Sequence, residues 1–466
     1  MTVSDATPDF DKGDRSDRAF LGHPKGLGFL SFTEGCERFS YYSMQTLLVL
    51  YMVNYLLLPG RIDQVVGLDW LRANVWPGLE GQQLASAIFG AYTSLVYLTP
   101  IFGGIIADRW LGRTPTLIIG GVLMAIGHFL MAFEPMFLLA LFSLLLGVGA
   151  FKGNIASQVG ALYAQNDLRR AMAFQIFYIA INVSVIAAPL VSGTLGEKVG
   201  WHYGFGCAGV VMVLGLIIYL TGRRWLPPDE RPSQRESHER EHLTRGDWMC
   251  VVYLLILIPV LAVALLTNQE IFNAYLIWGD QQFNLQFLDF TMPTSWLVTL
   301  DATLSFSMLV AVPVFWKWWS RTRQEPDEIS KMIIGSFFTV AGGLCLFIAA
   351  LTQGEGAKIG LFWPFMFHLL NSIGFAHILP VSLALFSKIA PRQINATVIG
   401  LYYLAFFLAN YTVGQIGQLY STLPTTTFWL IHVASAAFGL VAFWMFKLVI
   451  GRRMMTGPEE QAAALS

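Results

Sequence analysis

Residues 34–45 read EGCERFSYYSMQ, and after Thr46 they are followed by LLVLYMVNYLLL at 47–58. Three charged side chains therefore open a run that suits hydrocarbon. Glu34, Glu37, Arg38, Tyr41 and Gln45 are spaced i, i+3, i+4, i+7 and i+11, which places them in one stripe on one face of a helix. A charge at the centre of a membrane helix costs about 2.5–3.5 kcal/mol on insertion scales, and pairing Glu34 with Arg38 one turn away recovers only part of that. The stripe must face inward. It is either an ion pair that locks helices together or the wall of a water-filled functional cavity, and intramembrane charges mark the second by default.

Composition agrees with a bilayer setting. The 466 residues are 55% hydrophobic and 13% charged, with 35 Phe, and the mean hydropathy is +0.56, more apolar than a soluble core requires. A net charge of -1 leaves no basic surplus for nucleic-acid phosphates. Cys36, Cys207, Cys250 and Cys345 stand singly in apolar segments, with no CxxC pair, and read as packing residues. A membrane enzyme would need a nucleophile, base or metal set; there is no HExxH, no GxSxG and no His/Cys cluster with ligand spacing. No metal and no organic cofactor is expected.

Apolar runs long enough to cross hydrocarbon lie at about 27–57, 83–107, 114–133, 136–160, 172–195 and 202–221. A second six lie at about 248–278, 293–316, 331–352, 359–389, 395–421 and 426–450. The expectation is an all-α membrane protein of about twelve helices: a tail at 1–26, a six-helix bundle at 27–221, a charged linker at 222–247, a second bundle at 248–450 and a tail at 451–466. Equal halves are what transporters built from two related bundles show. Arg109, Arg113, Arg169, Arg223, Arg245, Arg321, Lys331, Lys388 and Arg392 fall on one alternating set of loops, against Arg61, Arg72, Lys198 and Lys358 on the other. The first set, with both termini, is thus read as cytoplasmic. Trp248, Trp278, Trp296 and Trp363, near span ends, read as an interfacial belt.

The fourth span, GVGAFKGNIASQVGALY, sets Lys152 and Asn154 among small residues that let another helix approach closely. A Lys so deep pairs with a carboxylate such as Glu37 or serves an anionic ligand, and protonating that carboxylate would convert one role into the other. The fifth span places Asn182 before Pro189, where a helix can bend. His377 in the tenth span has an unperturbed pKa near 6.5; it reads more readily as a packed histidine than as a supplementary proton site.

These residues resemble the proton-coupled oligopeptide transporter family of the major facilitator superfamily. The family's first-helix signature ExxERFxYY is complete in Glu34, Glu37, Arg38, Phe39, Tyr41 and Tyr42. FKxN is present as Phe151, Lys152 and Asn154, and the fifth-helix pattern as Phe177, Tyr178 and Asn182, with Ser184 where the family usually has Gly. GGIIADRWLGR at 103–113 looks like the superfamily's loop motif, and LPVSLALFSKIAP at 379–391 looks like the family's tenth helix. The resemblance implies a major facilitator fold and proton-driven symport of di- and tripeptides across a bacterial inner membrane by alternating access. It implies Glu34, Glu37 and Lys152 as the proton-coupling set. It also implies Arg38 and Lys152 as cations for a peptide carboxylate, Tyr41, Tyr42 and Tyr97 as pocket lining, and Asn154 and Asn182 as polar contacts. Small peptides, protons and the bilayer would be the partners, and the proton gradient the only cofactor.

The departures are specific. Gly374-Phe375-Ala376 stands where the family carries a tenth-helix acid, and the first-helix Arg and seventh-helix acid of an outer gate are both neutral here, as Gln45 and Asn268. A register shift would put Glu270 at the latter position. Losing both charges of a pair is nearly neutral, whereas losing one strands the other. Asp301 stands where an Asn is common and Tyr402 where a Trp is, and the 222–247 linker has no room for the two extra helices of many bacterial members. With Phe375 in place of an acid, either Asp301 or Glu270 receives a peptide's amine or the pocket no longer selects a free amine. Otherwise the carrier takes another small anion, or it is a weakly transporting relative.

Overall fold

A computed structural model describes residues 17–164, 167–228, 243–287, 289–391 and 394–451. Parts of the expected tails, most of the linker and Arg392 lie outside the described residues. The chain is helical because lipid offers no partner to unpaired backbone groups. In order come α1 (Lys25–Tyr51), α2 (Leu68–Asn74), α3 (Gly81–Ile106), α4 (Arg113–Leu130), α5 (Phe137–Ala161), α6 (Arg169–Ala188) and α7 (Trp201–Gly222). Then follow α8 (Arg245–Gln269), α9 (Ala274–Gln282), α10 (Trp296–Trp319), α11 (Glu328–Thr352), α12 (Phe362–Ile389), α13 (Asn395–Tyr402), α14 (Leu404–Gly417) and α15 (Thr425–Phe446). A two-residue hairpin, β1 (Gln286–Phe287) antiparallel to β2 (Phe290–Thr291), precedes α10.

Among the described residues 11 helices are long and apolar enough to span a membrane. The twelfth expected span is α1 with its wider turn Met52–Leu56, whose polar stripe keeps it outside that apolar set. Other spans differ at their ends for local reasons. The run expected at 248–278 breaks into α8, a tight turn at Glu270–Phe272, and α9; the run at 395–421 breaks at Tyr403. The fifth span leaves α-helical geometry at Pro189, as expected of a residue with no N–H to donate. Pro100, Pro259, Pro313 and Pro380 sit inside helices, a placement that membrane helices tolerate. Gly112 alone joins the turn after α3 to α4, at φ +85°, a conformation that costs a Cβ-bearing residue.

The contacts divide the chain into two units. One is Met1–Leu47, Asp63–Asp69 and Thr99–Glu236; the other is Leu48–Ile62, Trp70–Leu98 and Ser237–Ser466. In the first, glycines bring backbones together: a Cβ on Gly103 of α3 would fall 2.0 Å from the Gly149 carbonyl oxygen of α5, and one on Gly120 of α4 would fall 2.7 Å from Gly147 O. These approaches seat α5, and with it Lys152, against two neighbours at once. Gln158 of α5 donates to Thr114 of α4 (3.1 Å) and accepts from the Tyr219 hydroxyl of α7 (3.0 Å), so the same helix is also tied by polar bonds.

In the second unit the first part of α3 packs on α14, and a Cβ on Gly90 would fall 2.3 Å from Gly414 Cα. Its apolar core gathers Leu254, Leu257, Leu261 and Leu265 of α8 with Phe386 of α12, Ala405 and Ala409 of α14 and Phe443 of α15. Asp327 caps α11 by accepting from Ser330 N (2.8 Å) and receives Lys447 Nζ (2.9 Å). Burial works against its charge, but the Lys447 and Ser330 bonds hold its carboxyl below the ordinary value. One belt reading fails: Trp278 is fully buried, 5.0 Å from the Trp429 ring and 4.9 Å from Phe283, because α9 lies within the unit. Trp248 is exposed.

The glycine contacts give a paired prediction. Gly103→Ala should lower unfolding stability by about 1–3 kcal/mol, the usual cost of overpacking. Gly104→Ala, with nothing within 4 Å, should leave it unchanged or slightly raised. Thermal unfolding in detergent checks both, and equal melting temperatures would contradict the close approach.

Candidate functional site

The polar stripe of α1 is buried in the first unit: Glu37 is 0% exposed, Glu34 4% and Arg38 5%. Each is on the same helical face, so the side chains meet without any long-range folding. Arg38 Nη2 donates to Glu37 Oε1 at 2.7 Å, Arg38 Nε contacts the other Glu37 oxygen, and Nε stands 3.1 Å from Glu34 Oε1. One guanidinium thus holds two carboxylates. Its carbon also lies 5.4 Å from the centre of the Tyr41 ring, a cation–π distance.

Lys152 of α5, half-buried, is within electrostatic reach of Glu34, Glu37 and Arg38. Fully ionised, the four groups sum to zero. That balance lets them occupy a low-dielectric interior, and it is upset by one unit when any carboxylate takes a proton. Asn154 and Asn182 both return an amide N–H to their own helices, to Ala150 O (2.7 Å) and Tyr178 O (2.8 Å). Tyr41 is buried and its ring packs edge-on against the half-buried Tyr42, at 5.2 Å. A cavity of about 370 Å³ lies beside this stripe, lined by Ser31, Gly35 and Phe39 of α1 with Ile176, Ala180 and Ser184 of α6; its lining contains none of the charged groups.

The remaining expected residues, Gln45 excepted, belong to the second unit. Tyr97 stacks on Phe406 at 4.9 Å. Tyr402 is buried, its hydroxyl bonded to Ser382 Oγ (3.0 Å) and donating to Leu379 O (3.3 Å), so its polar atom is used inside the fold. Phe375 packs half-buried against the apolar core. Asn268 accepts from Gln269 Nε2 (3.1 Å), and Gln269 in turn accepts from Asn410 (3.1 Å). Gln45 is buried on α1, one turn beyond Tyr41.

Asp301 does not stand as a bare acid. Its Oδ1 lies 3.0 Å from His368 Nδ1, and His368 Nε2 lies 2.7 Å from the Tyr275 hydroxyl. Glu270 likewise meets a histidine, His432 Nε2, at 3.2 Å. His368 and His432 are both 0% exposed. Neither was singled out from sequence, although an ionisable side chain inside an apolar span is the signal that finds such residues. His377 is held by partners of opposite demand: Trp316 Nε1 can only donate and gives its proton to Nε2 (3.1 Å), while Nδ1 donates to Ile373 O (2.8 Å). Both ring nitrogens are satisfied by the neutral form. This arrangement fits the reading of His377 as a packed histidine.

The chain matches the Major Facilitator Superfamily over residues 39–414. It is 29% identical to "Peptide transporter YePEPT" of Yersinia enterocolitica, over 96% of this chain and 98% of that one. It is 28% identical to a "Di-/tripeptide transporter" of Lactococcus lactis subsp. cremoris, over 90% and 94%. Among solved structures it is similar to peptide transporter POT in complex with sulfate, with a TM-score of 0.80 and 25% identity, over 96% of this chain and 99% of that one. A mutant of peptide transporter POT in complex with alafosfalin matches with a TM-score of 0.81 and 25% identity, over 97% and 100%.

Because Arg38 holds two buried carboxylates, Arg38→Ala should destabilise the protein by about 3–5 kcal/mol. Replacing Arg38 together with one carboxylate (Glu37→Gln, Arg38→Gln) leaves Glu34 and Lys152 in balance and should restore much of the loss. Melting temperatures of the purified variants measure both effects, and a double variant as unstable as Arg38→Ala would sink the charge-balance argument.

Proposed function

The chain belongs to the Major Facilitator Superfamily and, within it, to the proton-coupled oligopeptide transporter family; on that premise we propose that it carries di- and tripeptides across the membrane together with protons. It is a multi-pass membrane transporter and not an enzyme. The observation that carries the reading is the balanced cluster of Glu34, Glu37, Arg38 and Lys152. When a proton neutralises one carboxylate, the cluster gains an uncompensated positive charge. A peptide's terminal carboxylate supplies the missing negative charge, so proton and substrate bind better together than apart.

The reverse holds on the far side. Release of the proton restores the ion pairs, which compete for Arg38 and weaken its hold on the substrate. Alternating access then requires the two halves to rock about the bound cargo, the general scheme for carriers of this build. Glu34 and Glu37 take the proton, Lys152 senses it, and Arg38 with Lys152 receives the carboxylate. Tyr41, Tyr42, Tyr97 and Asn182 are the proposed peptide contacts. The proposed setting is a bacterial inner membrane with both termini cytoplasmic, since the basic residues follow that rule and the named relatives are bacterial.

A second reading concerns the peptide's amine and has its own observation. The two carboxylates carried by α10 and by the break after α8, Asp301 and Glu270, each face a histidine. An arriving ammonium would have to displace an imidazole. The amine requirement should therefore be weak.

Uptake of labelled dialanine into proteoliposomes tests both readings. An inward proton gradient should drive accumulation that a protonophore abolishes, and Glu37→Gln should flatten its pH dependence. N-acetyl-dialanine should compete with an affinity within about tenfold of dialanine, a difference under ~1.4 kcal/mol. Gradient-independent uptake would refute the coupling, and failure of the acetylated peptide to compete would refute the weak amine requirement.

A further inference from the structure

The partners of Glu270 and His432 leave one proton unaccounted for. His432 Nδ1 lies 3.1 Å from the Phe428 carbonyl oxygen one turn back on α15. A carbonyl only accepts, so Nδ1 carries a hydrogen. In a neutral imidazole the other nitrogen then presents a lone pair, and that nitrogen, Nε2, lies 3.2 Å from Glu270 Oε2. Two lone pairs do not make that contact. Either the ring is an imidazolium or the carboxyl is protonated.

The carboxyl's other oxygen settles where the proton can reside. Glu270 Oε1 accepts from Asn273 Nδ2 (3.1 Å) and from Ala274 N (3.1 Å), the first amide of α9. Both donors are fixed, so Oε1 is an acceptor. The proton must lie on the line between Oε2 and Nε2.

The other buried carboxylate–histidine contact makes no such demand. In Asp301–His368–Tyr275 the terminal partner is a hydroxyl, which can donate to Nε2 while Nδ1 donates to Asp301. That chain is complete with a neutral ring. The Glu270–His432 contact is not.

We propose that Glu270 and His432 share one exchangeable proton, which makes this pair a proton-binding site separate from Glu34 and Glu37. Few groups compete with it. Among the described residues of α15, His432 is the one ionisable side chain; α14 adds Tyr411 and the first part of α3 adds Tyr92 and Tyr97. On α8 the charged Arg245 and Asp247 sit in the first turn, more than 20 residues and about 30 Å of helix away. On α11 the level of His432 is set by Gly343, whose Cβ would touch Val433; Glu328 and Lys331 lie at least twelve residues earlier, about 18 Å along the helix, leaving Cys345. From α9 comes Tyr275, packed on Trp429 and leading through His368 of α12 to Asp301 of α10.

The proton's presence is felt elsewhere in the same unit. Asn273, which donates to Glu270, accepts from Ser86 Oγ of α3 (3.0 Å) and stands so close to Gly417 of α14 that a Cβ there would lie 2.1 Å from its amide nitrogen. Gln82 of α3 donates to Gly417 O (2.9 Å). Losing the proton would set a carboxylate against a lone pair and loosen the carboxyl that holds Asn273. The packing of α3 on α14 is therefore linked to the pair's protonation, which gives the proposed carrier a second place to couple proton binding to helix movement.

The site is testable without transport. Infrared difference spectra of the purified wild type on exchange from H2O to D2O should contain a carboxyl or imidazole change that is lost in Glu270→Gln and in His432→Gln but kept in Glu34→Gln. If the single variants do not fold, Glu270→Gln with His432→Gln, whose amides can bond one another, should lose the same band. A variant spectrum identical to wild type would overturn the site. In proteoliposomes the double variant should move the pH of half-maximal dialanine uptake by about one unit. This second arm rests on the peptide-carrier reading, whereas the spectroscopic arm stands if wild type carries no peptide at all.

Discussion

A guanidinium shared by two carboxylates on one buried helix face is the constraint from which the first unit is arranged. Arg38 cannot release its proton and cannot be left without a partner in low dielectric. Glu34 and Glu37, at i−4 and i−1, are placed by helical geometry to meet it. The stripe then dictates that α1 be enclosed by protein, and the small residues of its neighbours make that enclosure close. Gly215 of α7 admits Cys36, and Gly35 of α1 faces Ser184 of α6. A Ser at 184, where the family usually has Gly, is accommodated by returning its hydroxyl to Ala180 O.

The fourth member of the cluster reaches it through packing. Lys152 is delivered by α5, whose Gly147 and Gly149 let α4 and α3 approach to backbone contact. The same glycine-rich run that makes the helix weak in isolation makes it well positioned in the bundle, because close backbone approach substitutes for side-chain interlocking where lipid supplies no hydrophobic drive. Charge balance and small-residue packing therefore serve one end: a lysine held within reach of two acids.

The second unit solves its charge problem with histidines. Asp301 lies in α10 and Glu270 in the turn after α8, both in mainly apolar stretches, and each finds an imidazole from another helix, 67 and 162 positions away. Histidine suits this role because it can carry or decline a positive charge near neutral pH, so a buried acid can be neutralised without a permanent cation. The absent tenth-helix acid at Phe375 fits the same economy of charge: among the described residues of this unit the buried acids are Asp301 and Glu270, each beside a histidine, and no lysine or arginine is buried with them.

Much of this was legible in the sequence because the relevant physics is local. Hydropathy over 20-residue windows located the spans, since only helices satisfy their own backbone within lipid. The stripe on α1 was legible because its members are one turn apart and a helix brings them together whatever surrounds it. The breaks at Glu270–Phe272 and Tyr403 were not legible, for neither carries a proline. Nor was the burial of Trp278, which depends on where α9 lies, or the bonding of His377, which depends on Trp316. His432 stands alone among apolar neighbours, with nothing local to name its partner. The sequence by itself determined the membrane class, the span order and the charged face of α1, because these follow from composition and from the 3.6-residue period. Only the tertiary structure decided which acids stand beside which histidines, because a hydrogen bond between side chains on different helices depends on packing geometry that no local period encodes.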